Sequence, residues 1–332
     1  MRKVLAIRHR KSSVGKYRID PLIENFGAKV KTEILRKNDK ATIETLANRF
    51  KKYGDVWVIK YIDDMHTLNV LHTMKKVANA TIVLDIDDNL WQIPTGNVAK
   101  GNVNQFVNRG IALTQSVMAA DWVTVSTEPL KNAVLPLNGN VRVLPNYIIP
   151  SEWKFKRKKH SKIRIGWVWS PTHIPDMHIV EGALKKIQDK YGDKVEIVIF
   201  GTDFDIWKDI KTTNIAGVKY DKYPKLFTEA GIDISIAPLD NNDFNKSKSN
   251  IKWLESTMAG AVFVGSDVYP YEFSVKDGKT GYLAKNESQW IKKLSNLIEN
   301  EEKRKEMVEN ARKEVIEKYT DAKAWRDFYE SL

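Results

Sequence analysis

Short apolar runs rich in β-branched residues alternate with amphipathic stretches along the first half of the chain. The strand-like runs occupy Val4–Ile7, Val56–Ile59, Ile82–Leu84, Trp122–Val125 and Val141–Leu144. Between them, apolar residues recur three and four positions apart, which is the spacing of a helix that faces a core. These helical stretches are Ala41–Lys52, His66–Val77 and Asn104–Ala119. Strands alternating with helices predict a parallel, doubly wound sheet.

The same alternation begins again in the second half. The predicted strands are Ile163–Val168, Val195–Phe200, Ile232–Ala237 and Ala261–Gly265. The predicted helices are Met177–Lys190, Trp253–Ala259, Glu287–Asn300 and Glu302–Lys318, followed by an amphipathic segment at Ala322–Ser331. Two successive α/β halves predict two Rossmann-like, doubly wound domains that face a cleft. Ligands of open α/β sheets bind beyond the carboxyl ends of the strands, so the cleft is the expected site.

These patterns divide the chain into four parts. We place a first domain at 1–148 and a basic linker without apolar periodicity at 149–162. The second domain follows at 163–316, and a C-terminal helix at 317–332 could pack back toward the first domain.

Composition narrows the chemistry. With 332 residues, of which 42% are hydrophobic and 29% charged, the chain is globular. It has no cysteine, which excludes disulfides, thiolate metal ligands and cysteine nucleophiles. Its six histidines form no ligand-spaced cluster, so we expect no zinc site. We find neither a long apolar run nor a signal-peptide core, and therefore expect a cytoplasmic protein, in the host cytoplasm if it is viral.

Positive charge is concentrated in two segments. The net charge is +12. Met1–Ile19 contains seven basic residues and no acid, and Lys154–Arg164 contains another seven basic residues. Such clusters attract polyanions, namely nucleic acid, an anionic membrane surface or diphosphate-bearing substrates. The alternative is a solvated surface that only aids solubility.

The segment Pro238–Gly281 carries the most specific chemistry. A polar, lysine-bearing loop at Asn245–Ser249 precedes a short helix, where backbone amides and ammonium groups can meet a diphosphate. Glu255 follows about two turns into that helix, where its carboxylate could accept hydrogen bonds from ribose hydroxyls. Gly260 then ends the helix before the next buried strand.

This segment resembles the C-terminal domain of GT-B glycosyltransferases, particularly the retaining family 4 type. The resemblance rests on a glutamate helix, a glycine, a strand and a DG-x-TG turn, found at Leu254–Glu255, Ala259–Gly260, Val262–Ser266 and Asp277–Gly281. Further similar segments are Ile165–His173 and Leu144–Asn146, while Gly15–Pro21 and Asp85–Pro94 resemble a bacterial, archaeal and viral subgroup. The resemblance implies the GT-B fold, a nucleotide-sugar donor and retention of anomeric configuration.

Two positions depart from the family pattern. The family has a second carboxylate eight residues before the helix glutamate, and Ser247 stands there. The basic residues that usually follow the first strand of the second domain are also missing from Trp169–Asp176. We therefore expect Lys248 and Lys252 to neutralise the donor phosphates.

The resulting site prediction has three groups of residues. The donor-binding residues are Lys248, Ser249, Lys252, Glu255, His173, Thr280 and Gly281, although His173 could equally be a packed, hydrogen-bonded residue. The catalytic residues are Asp87, Asp88 and Lys248, with either aspartate orienting the acceptor hydroxyl or taking its proton. The acceptor-binding residues are Arg10, Lys11, Tyr17, Arg18 and Trp91.

Alternatives stay open for several of these residues. Asp87 and Asp88 could cap a helix or fix a loop, and the DIDD run at 85–88 could bind magnesium, as in GT-A enzymes. Asp85, directly after a strand, is expected to be structural. Tyr17 and Arg18 could simply cap the next helix. Trp167 and Trp169 are further candidates for stacking on a sugar.

We therefore expect a hexosyltransferase that moves a hexose, such as glucose, from a UDP-sugar co-substrate to an acceptor hydroxyl, without another cofactor or an obligate protein partner. The acceptor is either a hydroxymethylpyrimidine in DNA or a cell-surface or lipid-linked glycan, and the basic clusters could bind DNA phosphates or an anionic membrane accordingly. The sequence shows no strongly amphipathic membrane helix beside these clusters, which favours DNA. Two other classes compete: a non-catalytic nucleic-acid-binding protein and a nucleotide-sugar epimerase.

Overall fold

A computed structural model of the chain describes residues 4–8, 13–20, 22–23, 30–34, 45, 48, 55–60, 68–69, 72, 75, 80–201 and 207–332. The predicted helices Ala41–Lys52 and His66–Val77 lie mostly outside these residues.

The first domain contains a six-stranded sheet in which every strand pair is parallel. Its strands are β1 (Val4–Arg8), β2 (Val30–Ile34), β3 (Val56–Lys60), β4 (Thr81–Ile86), β5 (Trp122–Val125) and β6 (Val141–Val143), in the order β2-β1-β3-β4-β5-β6. The helices α1 (Ser13–Arg18), α2 (Val103–Ala119) and α3 (Glu128–Val134) follow β1, β4 and β5. The predicted parallel, doubly wound architecture is confirmed.

The second domain repeats the architecture. Its strands are β7 (Ile163–Trp169), β8 (Val195–Gly201), β9 (Thr212–Ala216), β10 (Ile234–Ala237), β11 (Val262–Ser266) and β12 (Tyr282–Ala284), all parallel in the order β12-β11-β10-β7-β8-β9. Its helices are α4 (His178–Tyr191), α5 (Tyr223–Glu229), α6 (Asp243–Lys246), α7 (Ile251–Met258), α8 (Tyr271–Ser274), α9 (Glu287–Glu299) and α10 (Glu301–Tyr319). This strand order reverses between β10 and β7, the kind of position where doubly wound sheets bind ligands.

Strands β2, β9 and β12 were not predicted, and each lies at the edge of its sheet. An edge strand pairs on one side only, so its sequence need not be a continuous apolar run. The sequences VKTEI and TTNIA show this, because polar residues interrupt them.

The last helix, α11 (Lys323–Ser331), returns from the second domain to the first. Trp325, Phe328 and Tyr329 are buried in one cluster with Val4 and Val58 of strands β1 and β3. Burying large aromatic side chains stabilises a core by about 3–5 kcal/mol each, judged by truncation to alanine. The C-terminal segment is thus a structural part of the first domain.

The basic linker packs against the second domain. Trp153 is buried edge-on against Tyr223 and Phe227. Arg157 donates to the carbonyl of Ile232 at 2.6 Å and forms an ion pair with Asp233 at 2.7 Å. Both partners come directly before β10, so this part of the linker lies at the amino ends of the second sheet, away from the carboxyl ends that face the cleft.

Within the described residues, no helix combines the length and apolarity needed to cross a bilayer.

Candidate donor and acceptor site

Arg18, at the end of α1, is a buried structural residue. Its side chain is fully buried and pairs with Asp85 at 2.6 Å. It also donates to the carbonyl of Leu144 and lies 4.6 Å over the ring of Trp325. These contacts tie α1, β4 and α11 together inside the first domain. The predicted acceptor contact of Arg18 is therefore wrong, because no part of its guanidinium reaches the surface.

Asp85 at the end of β4 is paired with two cations. Its second partner is Lys60 at the end of β3, 3.2 Å away, and Thr124 donates to it at 2.7 Å. Burial by itself would raise the pKa of Asp85, but Arg18 and Lys60 more than offset it and lower the pKa to about 2. Asp85 is structural, as its position directly after an apolar strand predicted.

Asp87 and Asp88 follow at the carboxyl end of β4, on the cleft side. Lys60 also pairs with Asp87, at 2.6 Å. Asp88, by contrast, makes no side-chain hydrogen bond to any described residue. Burial and the neighbouring charge of Asp87 raise the pKa of Asp88, while the ammonium groups of Lys248 and Lys60 oppose the rise. Asp88 is thus a carboxylate with unused acceptor capacity that interacts electrostatically with a lysine of the other domain.

Asp176 organises the second domain's side of the cleft. One of its oxygens accepts from the backbone amide of Asp240 and from the Nδ2 of Asn245, both at 2.8 Å, and the other lies 3.1 Å from Nδ1 of His173. It therefore joins the loop after β7 to the loop after β10. Sequence reasoning missed Asp176, because a carboxylate that bonds to loop amides has no periodic signature.

His173 is neutral at physiological pH. Burial, together with the charge of Lys248, lowers its pKa to about 4, although Asp176 acts in the opposite direction. A neutral ring that donates from Nδ1 to Asp176 keeps Nε2 as an acceptor. Such an atom suits a sugar hydroxyl better than a phosphate oxygen, which needs a donor.

The two predicted donor lysines lie at the start of α7. Lys248 Nζ is 4.8 Å from the ring centre of Phe244, and its charge affects both Asp88 and His173. The Nζ of Lys252 lies 3.4 Å from the Glu255 carboxylate. The lysines therefore bring positive charge to the cleft at a helix N-terminus, which is a favourable place for a diphosphate.

Small polar side chains join the domains beside these lysines. Ser249 accepts from Asn146 at 2.7 Å, and Ser247 accepts from Asn89 at 3.3 Å. The carbonyl of Ser247 also accepts from the hydroxyl of Thr127 at 2.9 Å. Ser247 is thus an interdomain contact.

The Glu255 carboxylate is buried and accepts hydrogen bonds from three side chains. Its Oε1 accepts from the phenol of Tyr17, in the first domain, at 2.6 Å, and its Oε2 accepts from Tyr223 at 3.0 Å as well as from Lys252. Burial, followed by the charge of Glu255, raises the pKa of both tyrosines well above their usual range, so both remain proton donors. Tyr17 therefore reaches the donor side of the cleft.

The turn at Thr280–Gly281 supports α7. Thr280 is buried, its hydroxyl accepts from the amide of Lys276 at 2.9 Å, and its carbonyl accepts from the indole of Trp253 at 3.1 Å. Gly281 has φ +155°, and a Cβ there would lie 2.9 Å from the carbonyl oxygen of Phe263. These contacts do not support direct binding of sugar or phosphate by the turn, which instead holds the glutamate helix against β11.

The predicted stacking tryptophans have packing roles. Trp91 is half-buried against the core of the first domain, and its indole donates to Thr114 of α2 at 2.9 Å. Trp167 and Trp169 are buried in the core of the second domain, so the expectation that they stack on a sugar is wrong. Arg10 and Lys11 lie outside the described residues.

The described residues contain no cluster of three or more histidines or carboxylates that could hold a metal ion. Within the DIDD run, Asp85 and Asp87 already pair with Arg18 and Lys60. The side chains of Arg18 and Lys60 thus occupy the place beside these carboxylates where the magnesium hypothesis put a metal ion.

Comparisons with known proteins agree with this geometry. Residues 180–330 match the family model described as "Glycosyl transferase-like". Sucrose-phosphate synthase from Thermosynechococcus elongatus is similar over 100% of this chain and 99% of its own, with a TM-score of 0.73 and 11% identity. HepE of Anabaena, solved with UDP-glucose, is similar over 100% of both chains, with a TM-score of 0.72 and 12% identity.

A glycosyltransferase from Rickettsia africae is similar over 99% of this chain and 98% of its own, with a TM-score of 0.65 and 13% identity. No curated protein sequence matches the chain. The structural likenesses show the GT-B fold over the whole chain, and the family model covers Glu255, Lys248 and Lys252. The family model agrees with the predicted enzyme class, a glycosyltransferase.

Proposed function

We propose that the protein transfers a hexose, with glucose as the first candidate, from a UDP-sugar to an acceptor hydroxyl in the cleft. The observation that carries this proposal is that the loop of Asp88 in the first domain meets the segment of Lys248 in the second: Asn89 donates to Ser247 at 3.3 Å, and the charge of Lys248 opposes the rise in the pKa of Asp88. A carboxylate with free acceptor capacity suits a hydroxyl, and a cation at a helix N-terminus suits a diphosphate. The cleft thus holds one group for each substrate.

The donor would bind on the second domain. Lys248 and Lys252 would hold the diphosphate, with Ser249 at the same helix end. Glu255 would accept hydrogen bonds from the ribose, and Nε2 of His173 from a sugar hydroxyl. The UDP-glucose bound by HepE, which has the same fold, is the reason for placing UDP-sugars first.

The reaction breaks the bond from the anomeric carbon to the diphosphate oxygen and forms one to the acceptor oxygen. Negative charge grows on the leaving diphosphate, where the lysines and helix amides stabilise it. We propose retention of configuration, in which the acceptor attacks the face that the diphosphate leaves. The departing diphosphate then takes the hydroxyl proton, while Asp88 accepts a hydrogen bond from that hydroxyl and orients it.

For the acceptor, we propose a hydroxymethylpyrimidine in DNA. Its support is the net charge of +12 and the exposed lysines of the linker, namely Lys154, Lys156, Lys158 and Lys159. Because Arg157 holds the linker at the amino ends of the second sheet, DNA would contact the outer side of the second domain as well as the cleft. A cell-surface or lipid-linked glycan is the competing acceptor.

The test incubates the protein with UDP-, GDP- and TDP-sugars, with and without hydroxymethylcytosine DNA, and follows released nucleotide and DNA mass together. We expect a hexose-sized mass gain on DNA with a UDP-sugar and loss of transfer in Lys248→Met, by about 100-fold or more. Lys246→Met is the matched control, because this lysine is 44% exposed and pairs with Asp243 of its own helix at 3.7 Å. It should retain full activity.

The anomeric proton coupling in the product distinguishes retention from inversion. Donor hydrolysis without a change in DNA mass would reject DNA as the acceptor and leave the donor assignment intact. Failure of every donor to react or bind would contradict the proposed function, whereas equal loss of activity in both lysine variants would contradict the specific role of Lys248.

A further inference from the structure

The carboxylate proposed to bind the ribose already accepts three hydrogen bonds in this structure. Glu255 is only 4% exposed, and its oxygens accept from Tyr17, Tyr223 and Lys252. A carboxylate has about four lone-pair sites, and three are used here under cover of surrounding side chains. A ribose diol needs two free and accessible lone-pair sites. At least one of the three hydrogen-bond donors must therefore move away from Glu255 before the ribose binds.

The three hydrogen-bond donors differ in how readily they can move away from Glu255. Lys252 lies on the same helix as Glu255, and Tyr223 stacks on Phe227 within the core of the second domain, with ring centres 5.5 Å apart. Tyr17 belongs to the other domain. A relative movement of the domains would therefore withdraw Tyr17 alone, without disturbing the core of either domain.

Helix α1 is built to bridge the domains at this point. Beside Tyr17, Lys16 forms an ion pair with Glu152 of the linker turn at 2.9 Å, and the ring of Tyr17 packs edge-on against Tyr220 at 5.4 Å. The next residue, Arg18, is fixed in the first domain by Asp85. Helix α1 thus moves with the first domain while its side chains dock onto the second.

From this arrangement, and resting on the proposed function, we infer that Tyr17 competes with the donor ribose for Glu255, so that donor binding exchanges the phenol for the ribose hydroxyls. Tyr17 thereby sets donor affinity. It also links donor binding to the position of the acceptor domain, because releasing Tyr17 frees one side of the interdomain contact. By thermodynamic linkage, a group that stabilises only the donor-free arrangement weakens donor binding by the same factor.

The inference predicts that removing the phenol strengthens donor binding. A hydrogen bond to a charged group stabilises by about 1.5–3 kcal/mol, and 1.4 kcal/mol corresponds to a tenfold change in affinity. In Tyr17→Phe, the dissociation constant of UDP, measured by isothermal titration calorimetry, should fall about tenfold. A variant that merely damaged the fold would bind UDP more weakly, so the direction of the change is diagnostic.

The matched control is Tyr223→Phe, which removes the same kind of hydrogen bond from the same carboxylate. Tyr223 remains with Glu255 when the donor binds, so UDP affinity should be unchanged or weaker. Lys16→Met provides a second test through the partly buried ion pair of α1 with Glu152, and should strengthen UDP binding by up to about twofold, within the range of ion pairs near a surface. Equal or weaker UDP binding by Tyr17→Phe would overturn the inference.

Glu255→Ala separates this inference from the proposed function. If wild-type protein binds UDP and Glu255→Ala loses that affinity, the donor site stands whatever Tyr17→Phe shows. If Glu255→Ala binds UDP as wild type does, the ribose assignment fails and the competition by Tyr17 fails with it.

Discussion

Replacing Arg18 by methionine should destabilise the first domain more than any surface substitution. The change removes a fully buried cation and leaves an unbranched side chain of similar length. Asp85 would keep Lys60 at 3.2 Å and the hydroxyl of Thr124 at 2.7 Å, but would lose its bidentate partner. A buried carboxylate with only part of its compensating charge is the expected consequence.

The structure indicates the size of the effect. Removing one partner of a buried ion pair destabilises by about 3–5 kcal/mol, and the remaining lysine places Arg18→Met near the lower limit, at about 3 kcal/mol. The pKa of Asp85 gives an independent check. Its fall from 3.8 to about 2 corresponds to about 2 kcal/mol that the ionised carboxylate contributes through its partners.

The pH dependence has a definite sign. Because its folded-state pKa is lowered, Asp85 contributes this stability above about pH 4 and loses it as the pH falls toward 2. Without Arg18, the carboxyl binds a proton at a higher pH. The stability difference between wild type and Arg18→Met should therefore be largest near pH 7 and shrink in acid.

Native-state amide hydrogen exchange of β1, β3 and β4 measures opening of the first domain separately from the second. The double variant Arg18→Met, Asp85→Asn removes both charges and should recover a large part of the lost stability. A loss below about 1 kcal/mol in Arg18→Met, or a double variant that is less stable than the single one, would refute the reasoning.

Two further predictions concern titrating groups in the cleft. Asp88→Asn should lower kcat about 100-fold with little change in the donor KM, and an unchanged kcat would contradict the role of Asp88. In wild type, kcat/KM should fall in acid at a pH above 3.8, because burial and Asp87 raise the pKa of Asp88. Initial rates from pH 4 to 8 test this. His173 has a pKa of about 4 in the folded protein and its ordinary value of 6.5 when unfolded, so stability should be lost as the pH falls from about 6.5 toward 4. Thermal melts at pH 7 and 5 should show a smaller loss in His173→Gln than in wild type, by about 2 kcal/mol, whereas equal losses would mean that His173 is not buried as a neutral ring.

The periodic pattern of apolar residues determined the strands in the middle of each sheet and the long helices. Strands such as β4 and β10 are covered on both faces, so nearly every position is buried, most positions are apolar, and the run stands out. The edge strands β2 and β9 carry polar residues and were found only through their pairing partners. Short helices such as α6 were also missed, because one turn is too brief for a 3.6-residue period to show.

Residue chemistry and spacing along the chain pointed to the region of the site but not to the role of each residue. The sequence placed Asp85, Asp87 and Asp88 together after one strand. Only the tertiary structure shows which of them are paired: Arg18 of α1 and Lys60 of β3 form ion pairs with Asp85 and Asp87, but not with Asp88. The contact between Tyr17 and Glu255 joins residues 238 positions apart. Local sequence fixes which groups a strand end or helix end can offer, whereas the packing of two domains fixes which of them are buried, paired or open to a ligand.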